Sequence, residues 1–153
     1  MRKIFLAFIA VLFLLSLFSC AAEPSAESML RDFLYSYGVE GIIYSPDTPE
    51  GGEGYITEQL FRRIYLYDGD LPTNCAIFLN PRTDDFVECA IFVARDEDER
   101  AAISDMCRER ISILDTDGDR AFIIRSGRII FYSTLKDKEL AEEIITKILK
   151  SHS

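Results

Sequence analysis

The sequence predicts an α+β fold, a two-layer sandwich of a mainly antiparallel four-stranded sheet with helices on one face. Three observations point there. β-Rich runs and helical periodicity follow one another as strand, strand, helix and then again strand, strand, helix. The helical runs place their apolar residues three and four apart, giving each a single stripe to bury. Short, turn-prone segments separate the strands of each pair, so sequence neighbours should lie antiparallel.

The elements justify themselves in order. In "SMLRDFLYSYG", Met29, Leu30, Phe33, Leu34 and Tyr37 recur at helical spacing and Gly38 supplies a stop. An acidic loop, "SPDTPEGGEG", follows from Ser45 to Gly54. Ile56, Leu60 and Ile64 then mark a short helix in "ITEQLFRRIY". "NCAIFLN" (74–80) and "FVECAIFVA" (86–94) read as strands joined by "PRTDD". The next helix opens on Asp96 and Glu99 at capping-box spacing and aligns Ile103, Met106, Cys107, Ile111 and Leu114. "RAFIIR" and "RIIFYST" form a hairpin around Ser126-Gly127, and a last helix from about Asp137 aligns Leu140, Ala141, Ile144, Ile148 and Leu149. "CAIF" occurs at 75–78 and 89–92 and "DGD" at 68–70 and 117–119, which raises a strand-strand-helix duplication. The aromatics Phe78, Phe86, Phe92, Phe122, Phe131 and Tyr132 fall in strand runs and are expected in the core.

The N-terminus has a different character. Arg2 and Lys3 precede the apolar run "IFLAFIAVLFLLSLF", residues 4–18. As a helix that run spans roughly 22 Å, against about 30 Å of bilayer hydrocarbon, so it has the length of a signal-peptide core. Leu17-Phe18-Ser19-Cys20 resembles the lipobox of bacterial lipoproteins, which implies recognition of Leu17, Phe18 and Ser19 by a signal peptidase and a lipidated Cys20. An ordinary cleaved signal and an uncleaved anchor are the alternatives. The expected organisation is a signal peptide at 1–19, an anchored N-terminus and short linker at 20–27, and one domain at 28–150. Membrane lipid would then be a partner through acylated Cys20, on the extracytoplasmic face of the cell membrane.

Losing residues 1–19 leaves 15 basic against 26 acidic side chains, a net charge of −11. Such a charge repels phosphate backbones, so no nucleic-acid partner is expected. His152 is the one histidine, near the C-terminus, which disfavours His-dependent triads and histidine-rich zinc sites. Beyond Cys20, the thiols Cys75, Cys89 and Cys107 are odd in number and form no C-x-x-C pair. Cys107 reads as a core thiol. A hairpin centred on Arg82 sets Cys75 opposite Cys89, Ile77 opposite Val87 and Phe78 opposite Phe86, and would permit a Cys75–Cys89 disulfide. A two-residue register shift would separate the sulfurs.

Asp115, Asp117 and Asp119 in "DTDGD" resemble the start of a calcium loop. The glycine stands fourth instead of sixth, however, and position twelve is Ser126, so a polar helix-to-strand turn is the favoured reading. Arg62, Arg63, Arg108, Arg110, Arg120, Arg125 and Arg128 read as a solvated surface, with Arg125 and Arg128 making a small basic tip at the hairpin turn. The chain contains no G-x-G-x-x-G, Walker-type or G-x-S-x-G motif. No cofactor and no catalytic residues are nominated.

The run "ECAIFVARDEDERAAISDMCRERISIL", then "GRIIFYST" and a final helix, resembles small clostridial-type bacterial lipoproteins that carry a domain of unknown function. The resemblance spans about residues 55–149 and implies an anchored α+β domain, with no catalytic residues to carry over. The leading expectation is a non-catalytic binding or assembly module of the cell envelope, with an envelope protein as partner. The rivals are a cell-envelope hydrolase working through carboxylates and an accessory solute-binding lipoprotein.

Overall fold

A computed structural model describes residues 24–80, 86–115 and 118–152. The expectations for residues 1–19 and for Cys20 lie outside these described residues. Among these residues four helices and five strands follow in the order α1 (Ala26–Tyr37), β1 (Ile43–Tyr44), α2 (Glu58–Tyr65), β2 (Cys75–Asn80), β3 (Val87–Val93), α3 (Glu97–Leu114), β4 (Phe122–Ser126), β5 (Ile129–Ser133) and α4 (Lys138–Ser151). The strands form one open antiparallel sheet in the order β1-β2-β3-β5-β4. No helix among the described residues is long and apolar enough to cross a membrane.

The expected α+β class and antiparallel sheet are present, with two differences in detail. First, a fifth strand, β1, pairs Ile43 with Phe78 and Tyr44 with Ile77. It is held by closure of the acidic loop, where the Ser45 N–H donates to the Gly54 carbonyl over 2.9 Å. Gly54 has φ +87°, and a Cβ there would lie 2.2 Å from the Ile43 oxygen, so the loop closes only on glycine. Second, helices cover both faces. Ala76, Phe78, Cys89, Ile91 and Phe131 face α1 and α4, whereas Cys75, Ile77, Ala90, Phe92, Ile130 and Tyr132 face α2 and α3. Every residue of β3 is therefore buried, which explains its nearly continuous apolar sequence.

Local signals set the helix boundaries. The Ser25 side chain caps α1 by accepting the Ser28 N–H, and Gly38 ends it with its N–H on the Leu34 and Tyr35 carbonyls. Helix α1 thus starts at Ala26, two residues before the expected domain boundary. Asp96 accepts the Glu99 N–H at 2.8 Å, as the capping-box spacing predicts, but Glu99 reaches back to the Arg95 N–H at 2.5 Å, one residue further than the motif. Asp137 caps α4 through the Leu140 N–H.

Two stripes rotate slightly from expectation. Helix α2 buries Phe61 and Tyr65, with Leu60 and Ile64 at the margin. Helix α4 buries Ala141, Ile144, Ile145 and Leu149 while Leu140 is exposed. Ser126 pairs with Ile129, so the two-residue turn is Gly127-Arg128, one position later than expected, with Gly127 at φ +55°. Phe86 is 39% exposed, at the margin of the sheet instead of in the core.

Duplication is not the organising symmetry. Superposing the β2-β3-α3 unit on β4-β5-α4 requires rotation about an axis normal to the sheet, because β3 and β5 are adjacent and antiparallel. Such a rotation keeps both helices on one face, yet α3 and α4 lie on opposite faces.

Candidate functional site: a buried glutamate–arginine–tyrosine network

Glu88 occupies the middle of the sheet with no solvent exposure. Alternation along β3 sends Val87, Cys89, Ile91 and Val93 to α1 and α4, so Glu88 points with Ala90 and Phe92 toward α2 and α3. A carboxylate placed there must be paired and hydrogen-bonded, because its desolvation is otherwise prohibitive.

Arg110 supplies the pairing. It stands three residues after Cys107 on the inward face of α3, and its side chain is only 14% exposed. The guanidinium meets the carboxylate with both prongs, Nε to Oε1 at 3.1 Å and Nη2 to Oε2 at 2.6 Å. Two parallel donors on two oxygens fix orientation as well as charge. The Tyr132 hydroxyl, from β5, donates to Glu88 Oε1. Tyr65 Oη, from α2, lies 2.7 Å from Tyr132 Oη. Each hydroxyl has one proton, and Tyr132 spends its own on the carboxylate, so Tyr65 donates to Tyr132. The Arg110 guanidinium also stands 5.9 Å from the Tyr65 ring centroid, within cation–π range.

One connected chain thus links α2, β5, β3 and α3. Thr134 completes it on the backbone side: its Oγ1 accepts the Glu88 N–H at 2.9 Å, and its N–H donates to the Glu88 carbonyl at 2.9 Å. No buried side-chain nitrogen or oxygen among the described residues lacks a partner.

The surroundings bias the protons. Burial pushes Tyr65 well above its usual value of 10.0, reinforced by the Glu88 charge. Burial does the same to Tyr132, with the neighbouring Tyr65 and Glu88 adding to it. Burial also raises Cys107, again with help from Glu88. For Arg110, burial acts to lower the pKa, but the hydrogen bonds and charge of Glu88 outweigh it and the net movement is upward. Chemically the assembly is an ionic clamp between helices and sheet, its donors and acceptors engaged with one another.

The residues singled out from the sequence are scattered. Leu17, Phe18, Ser19 and Cys20 lie outside the described residues. Cys75 and Cys89 are both buried as free thiols, so the disulfide expected as one alternative is absent. The reason is register. Cys75 pairs with Phe92 and Phe78 with Cys89, three residues away from the alignment centred on Arg82. An odd shift exchanges faces, so Cys75 points to α2 and α3 while Cys89 points to α1 and α4. Burial pushes the Cys75 thiol up to about 12, and Cys89 also rises by burial, so both stay protonated.

Cys107 is a core thiol. Asp115 accepts the backbone N–H groups of Arg120 at 2.9 Å and Ala121 at 2.6 Å, closing the turn from α3 to β4, and these bonds hold its carboxyl below the usual range. Asp117 lies outside the described residues and Asp119 is exposed. Among the described residues no group of three or more His, Cys, Asp or Glu side chains is placed to hold a metal ion. Arg125 and Arg128 stand exposed at the β4–β5 turn, and Arg110 departs from the solvated surface expected of the arginines.

Sequence reading missed the network. Its signals were a glutamate inside an otherwise apolar strand and an arginine continuing the Ile103–Cys107 stripe at helical spacing. No protein-family model, no curated protein and no solved structure significantly matches this chain.

Proposed function

We propose that the chain is a lipid-anchored, extracytoplasmic protein of the cell membrane whose folded domain serves as a binding or assembly module of the envelope. The observation that carries this reading is Leu17-Phe18-Ser19-Cys20, which closes the apolar run of residues 4–18 and is followed by Ala21, Ala22 and the acidic Glu23. The start of the described fold supports it: Pro24, four residues after Cys20, and Ala26 are both held by Asn74. The Glu88–Arg110 pair is engaged in fastening helices to the sheet, as a binding module that recognises its partner through its surface would require. An anchor of acyl chains, each buried methylene contributing about 0.8 kcal/mol, would hold such a module stably.

Fatty-acid labelling in cells expressing the full chain tests the anchor. Label is expected on the native chain and none on Cys20→Ala; equal labelling, or none on either, sinks the lipid assignment. Crosslinking in intact cells followed by mass spectrometry tests the module. A reproducible protein neighbour is expected, whereas wall fragments alone, with loss of wall turnover on deletion, would favour the hydrolase.

A further inference from the structure

The fold has two ends, and the chain enters at one of them. The Asn74 side chain, just before β2, accepts the Ala26 N–H at 2.9 Å and donates to the Pro24 carbonyl at 3.0 Å. The Asn74 carbonyl in turn accepts the Val93 N–H, and the Arg128 carbonyl accepts the Ala94 N–H, both at 2.9 Å. The start of α1, the start of α3 and the β4–β5 turn therefore share this entry end. At the opposite end lie Asn80 and Val87, Ser133 with its partner Phe122, and the junction where the Asp137 N–H donates to Tyr37 Oη.

We propose that the domain stands upright on the membrane, with the end carrying Asn74, the α3 start and the Gly127-Arg128 turn toward the lipid headgroups and the opposite end held away. The inference rests on Cys20 being the lipid attachment point. Four residue steps separate Cys20 from Pro24, at most about 14 Å of extended chain. Seven residues of β3 extend about 23 Å at the strand rise, so the tether is shorter than the sheet is long. Pro24 cannot swing freely, because Asn74 grips the chain on both sides of the α1 cap. A tether that short keeps the entry end near the headgroups and excludes the inverted orientation. The exposed Arg125 and Arg128 then sit at headgroup level beside the exposed Asp96, Glu97 and Asp98 of the α3 start, while the exposed Glu40 and Asp119 are turned outward, where a partner would meet them.

Single thiols placed at each end test this in membranes from cells expressing the full chain. Asp98→Cys and Arg125→Cys report the entry end, Glu40→Cys and Asp119→Cys the other. The three native thiols of the domain are buried, so a fluorophore applied to folded protein reports the introduced site. With a headgroup-attached quencher in the lipid, loss of fluorescence is expected at 98 and 125 and none at 40 and 119. Equal or reversed quenching overturns the orientation, provided the same cells show Cys20-dependent fatty-acid label; absence of that label instead overturns the anchor. A ten-residue Gly-Ser insertion between Glu23 and Pro24 leaves the domain intact and should erase the difference between the ends. Persistence of the difference would show that the short tether does not set the orientation.

Discussion

The two faces of the sheet are built on different physics. Toward α1 and α4 the interior among the described residues carries no charged side chain, with Met29, Leu30, Phe33, Phe78, Ile91 and Phe131 meeting by shape. The Phe33 and Phe131 rings contact edge to face at 4.8 Å between centroids. Toward α2 and α3 a comparable apolar layer surrounds Glu88, Arg110, Tyr132 and Tyr65. Apolar packing tolerates small slides of a helix, because its energy follows area. A bidentate ion pair does not tolerate them, because a displacement of an ångström forfeits hydrogen bonds in a desolvated setting. The second face thereby fixes the positions of α2 and α3, at the expense of desolvating a charge pair.

The largest expected difference between the faces is in alkali. Tyr65, Tyr132, Cys75 and Cys107 on the charged face, against Cys89 on the other, have folded pKa values raised above their unfolded ones. In the unfolded chain these groups lose protons near pH 9 to 10, where the folded chain retains them. Stability is therefore complete below about pH 9 and falls as pH rises, each group removing about 1.4 kcal/mol per pH unit between its two pKa values. Urea midpoints measured from pH 8 to 11 under reducing conditions should fall steeply. Tyr65→Phe should flatten the slope, and an unchanged slope would mean that Tyr65 does not contribute.

Arg110→Met comes next, since it leaves the Glu88 carboxylate buried without its counter-charge and should cost about 3–5 kcal/mol. The Glu88→Leu, Arg110→Met double variant should recover that loss, because apolar replacement of a buried pair is commonly neutral or stabilising. A double variant as unstable as the single one would mean that the pair is indispensable to the fold. On the apolar face, Leu30→Ala should cost about 2–5 kcal/mol through lost burial and a cavity, with no change in the alkaline slope. Any marked change in that slope would erase the distinction between the faces.

The smallest effect is chemical. Folded mature protein should show no rapidly reactive domain thiol, and unreduced denatured protein should show three, from Cys75, Cys89 and Cys107. Finding only one would mean that two of the three are bridged, against the free thiols of the structure.

Much of the scaffold was legible because its signals are local. Asp96 caps α3 as its spacing predicts, α4 starts at the expected Asp137, and Gly127 enters the β4–β5 turn because that turn needs its backbone conformation. The network was illegible for the opposite reason. Glu88 and Arg110 are twenty-two residues apart, and neither shows in isolation whether it faces water or the other. Strand β1 was also missed, since two residues carry too little periodicity to announce a strand.

From the sequence alone came the α+β class, the strand-strand-helix order, the Asp96 cap of α3 and the apolar run of the N-terminal segment. Tertiary structure alone decided the rest: β2–β3 register, helices on both faces, and the meeting of Glu88, Arg110, Tyr132 and Tyr65. Side chains alternate with a period of two, so an odd shift in pairing exchanges the faces and moves every partner. No local preference in either strand carries that parity. It is fixed by the requirement that Phe78 and Cys89 share one interior while Ile77 and Phe92 share the other, with Glu88 placed where Arg110 can reach it.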